Sequence, residues 1–229
     1  MTILSADKFK SNAHLIETVR ALGYFDHAGL TVDVTWGRGT WWKRYQPPRF
    51  QAHDKYTLDG VDYHALPYGD ASVTLVAFDP SYVAPGGRVS SGLGEFNQRY
   101  GLDRVGKRPS DIEHDVRRAL REIDRVLEPG GVCLHKTANY VSSGRLQLSA
   151  LDSVAAGQLV GWKVADLLTH VGPARPQPAG RRVVHARQNT SWLIIWRKPG
   201  RRPHHSAARR RATGNVTPTS LDTKVSALA

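Results

Sequence analysis

The stretch that most constrains this chain is Val73-Thr-Leu-Val-Ala-Phe-Asp-Pro-Ser-Tyr82. Residues 73–78 are apolar and β-forming, which reads as a buried strand. The run stops abruptly at Asp79-Pro80-Ser81-Tyr82. That tetrapeptide sets a carboxylate, a rigid backbone carbonyl and an aromatic ring at the carboxyl end of a strand. Ligands of open α/β sheets bind at such strand ends. Together the three groups are suited to holding a flat base by its exocyclic amino group while stacking on its face.

The flanking pattern supplies the sheet. Residues 11–22 read as a helix, with Leu15, Ile16, Val19 and Leu22 on one apolar face and Gly23 as its stop. Leu30–Thr35 reads as a first strand and Phe50–His53 as a short second one. Asp111–Leu127 is the clearest helix: Ile112, Val116, Leu120, Ile123 and Leu127 recur at helical spacing, and Ser110 with Glu113 fits a capping box. Pro129-Gly-Gly131 is expected to end it and turn into a strand at Val132–His135. Leu151–Leu159 reads as a helix, and Trp162–Leu168 and Ser191–Arg197 as strands. Alternating strands and helices imply an α/β, Rossmann-like fold. The sheet should be mostly parallel, with an antiparallel C-terminal edge strand. Residues 1–198 are expected to form one domain.

Charge is unevenly spread. Residues 197–229 hold eight Lys/Arg against one acid, +7 of the formal +12, so residues 1–196 carry +5. A basic tail of low apolar content reads as disordered over 199–229 and as a contact for a polyanion. A solvated terminus explains the same charge. Residues 83–110 form a long Gly/Ser-rich, basic stretch, expected to act as a lid or target-recognition loop.

No apolar run approaches the ~18 residues that span a membrane, and the first residues lack the basic segment and apolar core of a signal peptide. With Cys133 the only cysteine, an intrachain disulfide is ruled out. These features lead to an expectation of a cytoplasmic protein with no membrane partner. The ten histidines show no metal-ligand spacing, so no metal is expected. Cys133 reads as a buried thiol, and Trp41 and Trp42 as core or the wall of a cofactor pocket.

A second constellation surrounds Asp33-Val-Thr35-Trp-Gly37-Arg-Gly39. A strand that ends in a Gly-rich turn before a helix lets a cofactor approach the backbone. It is neither a phosphate loop nor a full Gly-x-Gly-x-x-Gly, since residue 42 is tryptophan. Asp54 follows about twenty positions on, where an acid typically meets ribose hydroxyls; Asp59 competes for that role. Asp62 precedes the strand that ends in Asp79.

Together these elements resemble the class I S-adenosylmethionine-dependent amino-methyltransferases that act on DNA bases. Their Asp-Pro-Pro-Tyr signature appears here as Asp79-Pro80-Ser81-Tyr82, with serine in place of the second proline. Arg125-Val-Leu-Glu-Pro-Gly-Gly131 resembles the family's helix–Pro-Gly-Gly–strand element, and Arg187–Arg197 its closing strand. The resemblance runs from about residue 30 to 197 in one unpermuted order. It implies S-adenosylmethionine as cofactor, held by Asp33, Thr35, Gly37 and Gly39, with ribose at Asp54 and adenine at Asp62. It also implies DNA as partner, with adenine-N6 as the target and cytosine-N4 or RNA as alternatives. Asp79, Pro80, Ser81 and Tyr82 would carry the chemistry. Arg88, Arg181, Arg182, Arg187, Arg209, Arg210 and Arg211 would meet the nucleic acid. A chain that kept the fold and lost turnover is the rival of a different class. Recognition sequence and oligomeric state are not set by these residues.

Overall fold

A computed structural model describes residues 9, 11–26, 28–82, 108–172, 185, 186 and 188–200. Ser11 opens α1 (Asn12–Ala21), its side chain accepting from the His14 N–H at 3.3 Å. That bond satisfies one of the helix's orphan donors. Leu15, Ile16 and Val19 are buried, whereas Leu22, expected on the same face, is already the C-cap and is 39% exposed.

The main sheet contains β1 (Thr31–Asp33), β2 (Phe50–Ala52), β3 (Val73–Phe78), β4 (Leu127–Ala138), β7 (Lys163–Val171) and β8 (Thr190–Arg197). Their order is β2-β1-β3-β4-β8-β7. β1 pairs in parallel with β2 and β3, and β3 with β4. β8 runs antiparallel to both of its neighbours, so β7 points the same way as the first four strands. The α/β, Rossmann-like architecture and its mostly parallel sheet follow the sequence pattern, with the antiparallel C-terminal strand inserted between β4 and β7. A separate hairpin, β5 (Tyr140–Ser142) and β6 (Arg145–Gln147), turns through Ser143 and Gly144, both at positive φ. That is the backbone twist a two-residue hairpin loop requires.

Local chemistry moves two boundaries. α2 (Pro109–Val126) starts two residues before the expected Asp111, and Ser110 is not its cap. Proline at the first helical position forgoes an N–H that would be orphaned anyway. Asp111 instead accepts from the Arg108 N–H at 3.0 Å. At the other end, Pro129-Gly-Gly131 does not terminate the helix. α2 stops at Val126, and residues 128–131 form an irregularity inside β4, between the pairs Val73↔Leu127 and Leu75↔Val132. The end of the last strand braces it: Gly130 N–H donates to the Lys198 carbonyl, and Lys198 N–H to that of Gly131.

Both faces of the sheet are covered. Val32, Val76, Phe78, Cys133, Ile194 and Trp196 pack on α2 and on α3 (Ser149–Leu159) through Val116, Leu120, Ile123 and Ala156. On the other face Leu75, Ala77, Leu134, Leu193 and Ile195 meet α1, Phe25, Trp41 and Trp42. Each fully buried aliphatic or aromatic side chain contributes about 1.5–3 kcal/mol by leaving water. With helices on both faces of a mostly parallel sheet, the place where ligands of such folds bind is the carboxyl ends of β1, β3 and β4.

Candidate active site

Strand alternation decides where each polar group at those ends points. Asp33, the last residue of β1, is only 4% exposed. Its Oδ2 accepts from Trp42 Nε1 at 2.6 Å and its Oδ1 from the Thr35 N–H at 2.8 Å. Burial pushes its carboxyl up to about 7, against the lowering effect of those two donors. Thr35 then reaches across to the next strand: its Oγ1 accepts from the Asp79 N–H at 2.7 Å. One threonine therefore joins the Gly-rich turn to the Asp79-Pro80-Ser81-Tyr82 segment.

The turn itself departs from expectation. Gly37 and Gly39 have φ of 54° and 63°, as a tight left-handed turn requires. After them comes a single 3-10 turn, Thr40–Trp42, not a full helix. Its two indoles are buried, and both donate into the site, Trp42 to Asp33 and Trp41 to Asp79 Oδ2 at 3.1 Å. The space a Cβ at Gly39 would fill is held by the Trp36 ring, 2.4 Å from the ideal Cβ position. Gly37 is open, with nothing nearer than the Thr35 carbonyl at 3.9 Å.

Asp54 sits beside this turn. Its Oδ2 accepts from the Gly37 N–H at 2.8 Å, and its Oδ1 from Tyr56 and Thr57 N–H at 2.8 and 2.9 Å. Asp59 lies next to it, accepting from the Asp54 N–H at 3.2 Å through Oδ1 and pairing with His53 Nδ1 at 2.6 Å through Oδ2. Asp62 lies in another cluster, with Lys55 Nζ at 2.6 Å and His64 Nδ1 at 2.9 Å. Burial pushes the Asp62 carboxyl up, but these partners hold it below its usual range. No hydrogen bond among the described residues joins Asp62 to Asp33, Gly37 or Asp54.

An S-adenosylmethionine molecule needs an open turn for its amino-acid end and acceptors for its ribose. Gly37 provides the first. A carboxylate has about four acceptor positions, and Asp54 accepts three hydrogen bonds, which leaves one position for a further donor. The residues fit such a cofactor through Gly37 and Asp54. Asp33 is buried behind this turn, and Gly39 lies against the Trp36 ring.

Asp79 completes the site. Lys136 Nζ lies 3.8 Å from its Oδ2, on the side already taken by Trp41, and also donates to Asn12 Oδ1 at 2.8 Å. Its Oδ1 accepts no hydrogen bond among the described residues. Burial raises the Asp79 carboxyl, while Lys136 and Trp41 pull it back towards the ionised form. Pro80 and Tyr82 border a cavity of about 230 Å³ on the α2–α3 side, whose floor includes His135 and Thr137 of β4. Asp79 faces the opposite, α1 side, where Trp41 of that face's apolar cluster donates to it.

The sequence reading missed three contributors: Lys136, His135 and the donor roles of the two tryptophans. A lysine and a histidine that interrupt an apolar strand at its carboxyl end were the available signal. Arg88, Arg181, Arg182, Arg187, Arg209, Arg210 and Arg211 lie outside the described residues, as do 83–107 of the proposed loop and 201–229 of the basic tail. Cys133 is buried and its thiol pushed up by burial, as a core thiol should be. Among the described residues no cluster of His, Cys, Asp or Glu is placed to hold a metal, and no helix is long and apolar enough to cross a membrane.

No protein-family model matches the chain, and no curated protein sequence matches it. Solved structures do resemble it. One is TTHA0409 from Thermus thermophilus, a provisionally assigned DNA modification methylase seen in complex with S-adenosyl-L-methionine. It is 16% identical over 83% of this chain and 59% of its own, with a TM-score of 0.41. In a second structure of the same protein the chain spans 52% of that protein's length. Another is the provisionally assigned methyltransferase bound to the Haloferax volcanii Trm112 activator: 13% identity, 85% and 92% coverage, TM-score 0.49. A third is an S-adenosylmethionine-dependent methyltransferase from Aquifex aeolicus, with 8% identity, 80% and 88% coverage and a TM-score of 0.40. At these values the likeness carries no information about what this chain acts on, and the functional reading rests on the site itself.

Proposed function

We propose that this chain is an S-adenosylmethionine-dependent methyltransferase acting on an exocyclic amino group of a nucleic-acid base, with adenine-N6 in DNA as its target. One observation carries the reading. The Asp79-Pro80-Ser81-Tyr82 segment and the open Gly37 turn lie at the carboxyl ends of adjacent parallel strands, tied together by the 2.7 Å bond from Asp79 N–H to Thr35 Oγ1.

Each residue would have its own part in the reaction. S-adenosylmethionine, when bound at Gly37 and Asp54, supplies an electrophilic sulfonium methyl. A base amino group is a poor nucleophile because its lone pair is delocalised into the ring. Asp79 Oδ1 and the Pro80 carbonyl would accept its two N–H groups, which favours a pyramidal nitrogen whose lone pair is free to form the new N–C bond as the methyl–sulfur bond breaks and leaves its electron pair on sulfur. The nitrogen then sheds a proton towards Asp79 or solvent. Trp41 and Lys136 hold the negative charge on Oδ2, so Oδ1 stays available; such preorganised charge is worth more than the same groups in water. Tyr82 stacks on the base, which leaves a duplex at a cost of a few kcal/mol. Asp62 as an adenine contact and the basic tail as a phosphate contact belong to the same proposal.

The test is methyl transfer to duplex DNA, single-stranded DNA and RNA, with nucleoside mass analysis of the product. N6-methyladenine from DNA is expected, and Asp79→Ala should abolish it while sparing cofactor binding. Transfer that survives Asp79→Ala at near wild-type rate would sink the mechanism. A second reading, a nucleic-acid-binding protein without turnover, is favoured by Ser81 in the signature and by the Trp36 ring over Gly39. Cofactor or DNA binding with no methylated nucleoside would establish it.

A further inference from the structure

The charges of α2 are sorted by face. The helix carries five acids and four arginines, so its net charge alone gives no hint of a polyanion contact. Every one of those acids has a partner. Asp111 accepts from the Arg108 N–H at 3.0 Å, and Glu113 pairs with Arg117 at 2.6 Å. Asp115 accepts from the Tyr63 hydroxyl at 2.7 Å, Glu122 from the Leu66 N–H at 2.8 Å, and Asp124 from Trp162 Nε1 at 2.7 Å. Arg125 is taken up by Glu122 and Asp70. Arg118 and Arg121 remain. Both are exposed, and neither has a hydrogen bond or ion pair among the described residues. His114, one turn before Arg118, is exposed and unpaired in the same way.

Positions 114, 118 and 121 form one narrow stripe, because residues three and four apart share a helix face. At 1.5 Å per residue the stripe is about 10 Å long. One strand of a DNA duplex presents a charge about every 3.4 Å along the axis, so the stripe spans about three phosphates. A guanidinium meets phosphate oxygens through parallel N–H bonds, and an imidazole keeps an N–H donor in either charge state. No exposed large apolar side chain lies on α2. The helix therefore has nothing to insert into a lipid surface and no apolar centre for a protein interface. The stripe also begins close to the candidate site: Pro109, Ser110 and Glu113 line the cavity that Pro80 and Tyr82 border.

We propose that the outward face of α2 holds the phosphate backbone of duplex DNA through Arg118 and Arg121, with His114 as a further donor. The proposal rests on the reading of DNA as substrate and adds where its backbone is gripped. Contacts of this kind position the duplex and carry no base code.

The test uses the full chain with Arg118 and Arg121 both changed to glutamine. Binding to short duplexes of two unrelated sequences is followed by fluorescence anisotropy between about 50 and 200 mM salt. The slope of log affinity against log salt should become shallower by about 1 for each arginine removed, and equally on both sequences. The thermal midpoint should not change, because both side chains are exposed and unpaired. Lysine at both positions keeps the charges and should restore most of the slope. Arg117→Gln takes a charge from the same helix, but one already paired with Glu113, and should leave the slope unaltered. A glutamine variant with the wild-type slope overturns the assignment, as does an equal loss in Arg117→Gln or the absence of duplex binding by wild type. Tighter wild-type binding to single-stranded RNA or to phosphatidylserine vesicles than to the duplex overturns it as well. If the slope falls as expected but no methylated nucleoside forms, the transfer reading fails and the docking face stands. If N6-methyladenine forms and the glutamine variant binds DNA like wild type, the face fails and the transfer reading stands.

Discussion

Replacing Asp33 by asparagine probes how the floor of the site is held. The side chain is 4% exposed, and burial takes its carboxyl from an ordinary 3.8 to about 7. A raised carboxyl pKa means that the folded chain binds this proton more tightly than the unfolded chain. The resulting stabilisation is complete below about pH 4 and is lost as pH rises through about 7. A rise of roughly three units, at about 1.36 kcal/mol per unit, makes the loss about 4 kcal/mol. Stability should fall by roughly 1.4 kcal/mol per pH unit within that window and level off above it. Asparagine does not ionise, but it presents one acceptor oxygen to the two donors, Trp42 Nε1 and Thr35 N–H. That mismatch costs about 1–3 kcal/mol at every pH. The variant should therefore be the less stable protein near pH 4 by about 1–3 kcal/mol and the more stable one near pH 8 by a similar amount. Urea unfolding at both pH values, with the slopes checked for equality, measures the crossover. A gap between variant and wild type that stays constant across this range would refute a raised Asp33 and with it the account of the buried floor.

Trp41→Phe removes the indole hydrogen bond to Asp79 Oδ2, one of the two influences that favour the ionised carboxylate. Because an ionised Asp79 is the stronger acceptor and the form able to take the amino proton, the acidic limb of the pH–rate profile should move to higher pH; an unmoved limb would mean that Trp41 does not tune it. Gly39→Ala places a Cβ in the left-handed region and onto the Trp36 ring. Roughly 2–5 kcal/mol of folding stability should be lost, read by thermal or urea unfolding, whereas a loss confined to cofactor affinity would return Gly39 to the cofactor surface.

Much of this architecture was legible in residue pattern. Val73–Phe78 is a strand with the expected bounds because a six-residue apolar run ended by Asp-Pro admits little else. The face of α2 was readable because Ile112, Val116, Leu120 and Ile123 must share a stripe if the segment is helical. Boundaries set by single hydrogen bonds were less visible: Pro129-Gly-Gly131 has the composition of a helix stop, but Lys198, nearly seventy residues away, makes it part of a strand. The three-residue strands of the 140–147 hairpin are too short to show a period.

The site divides along the same line. Which residue types stand at the ends of β1 and β3 follows from the sequence, because strand length decides which residues come last. What those residues do depends on partners that only the tertiary fold supplies. Asp33 and Asp54 look equivalent as acids after strands, yet Asp33 is sealed beneath Trp42 while Asp54 accepts from three backbone N–H groups of its own turn and of Gly37. Trp41 and Trp42 are adjacent, yet each indole finds a different carboxylate. His135 is an ordinary residue in the sequence. It becomes conspicuous only when β3, β4, α2 and α3 close around it and deny both nitrogens water, because burial, unlike residue type, is a property of the whole fold.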